Sequence, residues 1–407
     1  MTTGIFNSNL IAQDLAKKSF AGMITRLMPN GQAVLFGLTS MLASETALQV
    51  EHGFFTKTMV FPQLTLGSGG QAAGDTVFTV TSTANALPNM IMRADATGEN
   101  ILINAILSTT QVSVQRGVGG TAPGSITAST NLYQVGTAFE EASLRPNALA
   151  INPVRVTNLT QIFRNTWAIS DSVRATQVIA GDTNVAENRQ DCAAFHASDI
   201  EKGLFFGQKF SGSRNGQPLR TMDGIYSIVS NLAYYPSSYS SANITTAGGT
   251  TTYTQFEAAF DPLFNQTTDP KTANERVLFV GGTAKKVINN IGRLNGTYYM
   301  IDGQTSWGLQ FSTIKIARGT FRIIEHPLFN TNTSWQKLAI AVDLPTFSLA
   351  YLGDRKTQNK EFNMSGTEAA DNGIDAVGGT LTTELTTVIK NPPAFGIMTN
   401  LTAAATG

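Results

Sequence analysis

This sequence is short of charge. Its 407 residues include 28 Lys and Arg and 28 Asp and Glu, so charged residues make up 14% and the formal net charge is zero; soluble domains carry roughly 25% charged residues. A neutral chain lacks the basic stripe that nucleic-acid readout uses, so any nucleic-acid partner is enclosed rather than gripped. The same neutrality removes the repulsion that keeps monomers apart. Extensive self-association is the expectation.

Cysteine is nearly absent too. Cys192 stands alone, which excludes an intrachain disulfide and suits a reducing compartment. Histidine is limited to His52, His196 and His326, with no His-Glu-x-x-His or Cys/His ligand spacing, so neither a zinc site nor another cofactor is expected. No run of about 18 apolar residues occurs, and Met1-Thr2-Thr3-Gly4-Ile5-Phe6 has no charged stretch leading into an apolar one. The expectation is therefore assembly in the cytoplasm without a membrane partner. At this length, two or three folded units around separate cores are predicted.

What is present begins with an amphipathic segment. From about Asn9 to Met28, Ala12, Leu15, Ala16, Phe20, Met23, Ile24 and Leu27 recur near helical period, with Asp14, Lys17 and Lys18 on another face, before Pro29-Asn30-Gly31 ends the pattern. The stripe must dock on its own body or on another subunit. Leu15, Phe20, Met23, Ile24 and Leu27 are taken as candidate assembly residues. Residues 50 to 66 read as extended. Gly67-Ser68-Gly69-Gly70 then opens a stretch to about residue 145 of short β-type runs: Thr76 to Val80, Ile101 to Ile103, Gln111 to Gln115 and Leu132 to Val135. These predict a small, mostly antiparallel β-unit inserted in the chain.

A strand over Gln161 to Ile169 leads into a long helix from Asn184 to Phe206, about 35 Å at 1.5 Å per residue. Val185, Cys192, Phe195, His196, Ile200 and Leu204 are assigned to its apolar face, and Glu187, Asn188, Gln190, Asp191, Ser198, Glu201 and Lys202 to its polar face. Residues 235 to 252 are rich in Ser, Gly and Thr and read as a mobile loop. Then come a helix from Thr254 to Asn265, a strand at Val277 to Val280 and a helix from Thr283 to Leu294. The rest is β-rich, with strands over Leu309 to Ala317, Phe321 to Ile324, Lys337 to Val342, Phe347 to Leu352 and Thr380 to Ile389. The whole reads as α+β, with no internal repeat.

Candidate chemistry is sparse. Cys192 and His196 stand at i, i+4, a spacing that places a base beside a thiol, but no oxyanion donor or orienting partner accompanies them, and a small apolar Cys on a buried helix face is the simpler reading. Gly67 to Gly70 and Gly117 to Gly120 link no strand to a helix N-terminus and precede no Gly-Lys-Ser/Thr, so they read as turns rather than phosphate loops. Asp371-x-Gly373-x-Asp375 lacks the remaining ligands of an EF-hand. No enzyme is predicted.

The order of elements carries a resemblance: an N-terminal arm, a long β-excursion, a long helix, an α/β middle and a β-rich return. Together these resemble the Hong Kong 97 type capsid fold. Local sequence sharpens it: Asn158-Leu159-Thr160-Gln161-Ile162-Phe163-Arg164 with Ile169-Ser170-Asp171, then Asp199-Ile200-Glu201-Lys202-Gly203-Leu204, then Arg220-Thr221-Met222-Asp223-Gly224-Ile225. Later come Glu325-His326-Pro327-Leu328, Ala341-Val342-Asp343, Ala350-Tyr351-Leu352, Glu384-Leu385 and Asn391-Pro392-Pro393-Ala394-Phe395-Gly396-Ile397. These look like the tailed-bacteriophage branch typified by the SU-ten phage major capsid proteins, over nearly the whole chain and in order.

The resemblance implies an N-terminal arm over residues 1–50 and an extended loop with an inserted β-unit over 51–157. It implies a peripheral domain with a spine helix over 158–224, an axial domain over 225–345 and a C-terminal return to the peripheral domain over 346–407. It further implies a major capsid protein whose subunits form hexamers and pentamers, enclosing double-stranded DNA in an icosahedral head, with a portal and decoration proteins as partners. Because the arm helix starts about ten residues in, without a long charged segment ahead of it, a separate scaffold protein is implied. The alternative from another class is a phage decoration, tail or surface-adhesion β-protein, which accounts for 67 to 145 but not for the long helix.

Overall fold

The computed structural model describes residues 33–40, 44–57, 62–143, 153–175, 184–235, 239, 241–265, 274–295, 301–306, 309–362 and 375–405. The predicted helix over 9–28 and the Asp371 cluster lie mostly or wholly outside them. The chain forms two compact units, one from the residues up to Thr56 and from Arg155 onward, the other from Lys57–Val154.

The first unit opens with helix α1 (Val34–Ser40) and strands β1 (Glu45–Ala47) and β2 (Glu51–Thr56). The second unit then holds β3 (Gln63–Thr65), β4 (Val77–Thr79), β5 (Met90–Ala94), β6 (Glu99–Ile106), β7 (Gln111–Gln115) and β8 (Asn131–Thr137), in the order β3-β8-β5-β6-β7-β4. The two end strands meet. Leu66 bridges Val80, the Gly67 N–H donates to the Thr79 carbonyl at 2.8 Å and the Thr81 N–H to the Thr65 carbonyl at 2.9 Å. The sheet thus closes into a barrel with no free edge. Alternating side chains fill it, among them Leu64, Leu66, Phe78, Val80, Met92, Ile101, Ile103, Val112, Val114 and Leu132. Gly117, Gly119 and Gly120 have φ of 68°, 74° and 79°, so the glycine run is a left-handed turn after β7, as its sequence predicted.

The chain re-enters the first unit through β9 (Val154–Leu159), which pairs with β2, and β10 (Gln161–Ser170), followed by α2 (Asp171–Ala175) and α3 (Asn184–Phe206). Next come a hairpin of β11 (Phe210–Arg214) and β12 (Gln217–Thr221), then α4 (Ile225–Ser230), β13 (Ile244–Thr251), α5 (Tyr253–Phe260), β14 (Glu275–Val280) and α6 (Gly282–Asn295). The last strands are β15 (Ile301–Ser306), β16 (Leu309–Lys315), β17 (Thr320–Glu325), β18 (Ala339–Val342), β19 (Phe347–Leu352), β20 (Gln358–Phe362), β21 (Ala376–Ile389) and β22 (Gly396–Ala404).

Two sheets organise this unit. In the five-stranded sheet, β21 pairs with β10 along its length on one side and with β20 and then β19 on the other, while β1 extends β19. The seven-stranded sheet runs β13-β22-β18-β14-β17-β16-β15 and is covered on both faces. On β14, Leu278 and Val280 face a core shared with Phe256 and Phe260 of α5 and with Val287, Ile288 and Ile291 of α6. Val277 and Phe279 face the other core, with Ile200, Leu204 and Phe205 of α3 and with Phe347 and Leu385 of the five-stranded sheet. Double coverage is why Val277-Leu278-Phe279-Val280 reads as an unbroken apolar run. Helix α3 lies close on β10 because Gly203 offers no side chain there; a Cβ would come within 2.8 Å of the Phe163 ring.

Three expectations need correction. Residues 244–251, read as part of a mobile loop, form β13, parallel to β22; threonines supply the extended pairing and Gly249, at φ 104°, sits where the register shifts. Phe195, assigned to the apolar face of the long helix, is 68% exposed. Glu201 and Ser198, assigned to its polar face, are buried, and Glu201 is wholly inaccessible. Glu201 lies three and four residues before Leu204 and Phe205, so helical geometry places it within the buried arc.

Candidate assembly site

The motifs that carry the capsid resemblance lie far apart in sequence, and folding gathers them into buried polar joints. Asn158, just before β10, is the first. Its side-chain amide donates to the Asp223 carbonyl at 3.0 Å and to the Thr387 hydroxyl at 2.8 Å, and its oxygen accepts the Asp223 N–H at 2.8 Å. Beside it, the Thr160 hydroxyl donates to Glu384 at 2.8 Å, and Arg355 approaches the other Glu384 oxygen at 2.7 Å. A third joint pairs Arg276 with Asp343 at 3.3 Å; the same guanidinium reaches the carbonyls of Leu263 and Ala394. Buried polar groups fix one arrangement because any other leaves them unsatisfied.

Glu201 forms the fourth joint. One carboxylate oxygen accepts the Leu35 N–H at 2.7 Å and His326 Nε2–H at 2.6 Å; the other accepts the Phe36 N–H at 2.7 Å. His326 Nδ1 accepts the Leu328 N–H at 3.3 Å, which assigns the ring proton to Nε2. Phe205, Phe279 and Phe329 surround the imidazole at centroid distances of 5.2, 6.0 and 4.8 Å. Sequence reasoning missed this joint, and the signal available was the acid one helical turn ahead of Leu204-Phe205.

The sequence-level candidates for chemistry separate in space or are occupied. Cys192 packs with Trp167 and Leu381, and burial pushes its thiol pKa up, away from a reactive thiolate. His196 spends both ring nitrogens on other partners, Asn165 at 2.6 Å and Thr383 at 2.7 Å, and burial pushes its pKa down. His52 stands 3.4 Å from Glu45. Among the described residues no three His, Cys, Asp or Glu side chains gather as metal ligands, and no helix is long and apolar enough to cross a membrane.

The surface is more informative. Leu48 is 92% exposed, and with Phe55 it lines a shallow groove of about 520 Å³ beside β1 and β2. Phe195 stands out from α3. Phe210 and Leu219 are exposed on the β11–β12 hairpin, whose Asn215-Gly216 turn takes φ of 52° and 72°, the geometry of a tight two-residue hairpin. These apolar side chains stand exposed on a chain poor in charge. Leu15, Phe20, Met23, Ile24 and Leu27 lie outside the described residues.

The fold is similar to that of solved capsid chains. Superposition on the capsid of the native GTA particle gives a TM-score of 0.50, covering 98% of this chain and 100% of that one at 10% identity, a likeness of fold alone. A chain from Mycobacterium phage Adephagia gives 0.48 at 9% identity, covering 99% of each. Sequence is more specific. Residues 1–402 match the description "SU10 major capsid protein", and the chain is 38% identical over 409 residues to the major capsid protein of Pseudomonas phage PaMx41, covering 98% of this chain and 96% of that protein. The chain belongs to the SU10 major capsid protein family. Its role is structural, as a component of a phage virion, and the decoration, tail or adhesion alternative falls away because the match runs through both units.

Proposed function

We propose that copies of this chain associate in the host cytoplasm into hexamers and pentamers that close an icosahedral shell around double-stranded DNA, and that the protein catalyses nothing. In this reading a separate scaffold protein directs assembly, a portal occupies one vertex and decoration proteins bind outside. Residues 1–50 are the arm and 51–157 the extended loop, a division supported by the closed barrel of 57–154, which has its own core. Residues 158–224 and 346–407 are the peripheral domain, built on α3 and the five-stranded sheet; 225–345 are the axial domain, built on the seven-stranded sheet. The chain crosses between these last two at its end, since β21 belongs to one sheet and β22 to the other.

The observation that carries the assembly reading is the surface. Leu48, Phe55, Phe195 and Phe210 are each more than half exposed on a chain of zero net charge. Many such contacts, each weak alone, become cooperative when they close a symmetric body. DNA is held by confinement in this reading, because the chain carries no net positive charge to drive counterion release. Negative-stain electron microscopy of the protein produced together with the other phage assembly proteins tests this: closed shells or capsomers support it, and dispersed monomers under those conditions overturn it. Free subunits are expected to show no salt-steep DNA affinity.

A further inference from the structure

Helix α1 has seven residues, well short of the roughly 12–15 at which a helix in water becomes even marginal, so its partners decide whether it forms. A helix start leaves N–H groups without intrahelical acceptors, and a local Ser, Thr, Asp or Asn normally takes one. Here Gln32-Ala33 precede the helix, and Ala33 has no side-chain acceptor. The Leu35 and Phe36 N–H groups instead go to Glu201, 166 and 165 residues away on α3. The third donor to that carboxylate, His326 Nε2, stands at the end of β17 in the seven-stranded sheet. One buried charge thus ties together α1, α3 and a strand end that does not itself bond to the Leu35 and Phe36 amides.

We infer that Glu201 is a latch through which the position of the seven-stranded sheet at His326 is passed to α1, and so to the chain N-terminal to it. The carboxylate is wholly buried, so water replaces no lost donor. A displacement of β17 against α3 by about an ångström stretches the 2.6 Å His326 bond beyond useful length and leaves the charge under-satisfied. The carboxylate then shifts or rotates toward whatever donor it finds, and its hold on Leu35 and Phe36 loosens. His326 is a positioning residue in this scheme: it acts on α1 through Glu201. The consequence for assembly rests on reading residues 1–50 as an arm, whereas the latch itself does not.

Amide hydrogen exchange on the unassembled full-length chain tests the latch without assembly. His326→Phe keeps a ring among Phe205, Phe279 and Phe329 but removes the donor. Exchange at Leu35 and Phe36 is expected to accelerate about tenfold or more, as for a lost hydrogen bond to a charged group, while α6 and β21 keep their protection. His326→Gln, which restores an N–H donor, is expected to recover most of the difference. Unchanged exchange at Leu35 and Phe36 in His326→Phe overturns the inference, as do equal acceleration throughout the unit and failure of Gln to restore protection. Should His326→Phe not fold, Glu201→Gln decides by the same amides: selective acceleration there supports the latch, and wild-type exchange overturns it. Failure of the arm reading shows separately, as closed shells formed by a chain lacking residues 1–28.

Discussion

Arg116 approaches Glu99 to 2.6 Å within the barrel of residues 57–154, with 6% and 0% of their side chains accessible. Two bonds join them, Nε to one carboxylate oxygen and a terminal nitrogen to the other, and the Gly117 and Gly124 N–H groups donate to the same carboxylate at 3.2 Å each. The pair therefore pins the glycine turn after β7 to the start of β6. Arg116 also lies 5.2 Å over the Phe78 ring, linking the charge to the barrel core.

Removing one member of this pair leaves a buried charge alone. Arg116→Leu is expected to cost about 3–5 kcal/mol in the barrel, read from hydrogen exchange at Ile101, Ile103 and Val112. The double change with Glu99→Leu is not expected to recover wild-type protection, because the Gly117 and Gly124 N–H groups then lose their acceptor. Full recovery would contradict the role given to the carboxylate. The pair also sets an acid limit. Burial pushes the Glu99 carboxyl up, but bonds from Arg116, Gly124 and Gly117 outweigh it and hold its pKa below the usual carboxylate range. The folded state thus binds this proton more weakly than the unfolded chain does. Its stabilisation is complete above the ordinary value of about 4.3 and is lost as pH falls through the lower folded value. Barrel protection should stay level from pH 7 to about 5 and fall below about 4.

Phe195 separates folding from assembly. Because it is 68% exposed, Phe195→Glu is expected to change stability by no more than about 0.5 kcal/mol, while reducing the yield of closed shells if α3 meets a neighbour there. Calorimetry and negative-stain images of the same preparation report the two effects. Wild-type shell yield would remove Phe195 from the assembly surface.

The arm is tested by deletion. A chain without residues 1–28 is expected to melt cooperatively and remain soluble yet form no closed shells, and Phe20→Asp with Ile24→Asp should do likewise. Burying four or five such side chains against a neighbour contributes roughly 1.5–3 kcal/mol each before ordering costs, enough to matter in a capsomer. An unfolded or aggregated truncation would assign the segment to the subunit core; normal shells would make it dispensable.

Periodicity made most of the elements legible. The long helix, the α/β middle and strands such as Gln161–Ser170 follow from residue spacing, and the turn role of Gly117 to Gly120 follows from glycine itself. Pairing between distant segments was not legible. Nothing in Leu66 or Val80 announces that they meet and close a barrel, and Ile244–Thr251 becomes a strand only because β22 lies beside it. Individual side chains were harder still. Phe195 and Glu201 contradict their polarity, one held out in solvent and the other satisfied by donors from residues 35, 36 and 326. Asp199-Ile200-Glu201 and Glu325-His326 carry the family resemblance, but the bond that joins them across 125 residues shows only in the fold.

The placement of β21 and β22 also bears on which copies can enter a particle. Both are interior strands, one flanked by β10 on one side and by β19 and β20 on the other, the other between β13 and β18, and both come from residues 376–404. A polypeptide cut short upstream of Ala376 lacks the middle of each sheet. It leaves β18, β19 and β10 with unpaired backbone and cannot complete the core that holds Leu385 and Ile397, nor the one that holds Met398 and Leu401. Prematurely terminated translation products are thereby expected to fail at the folding step, before they can take a place in a shell.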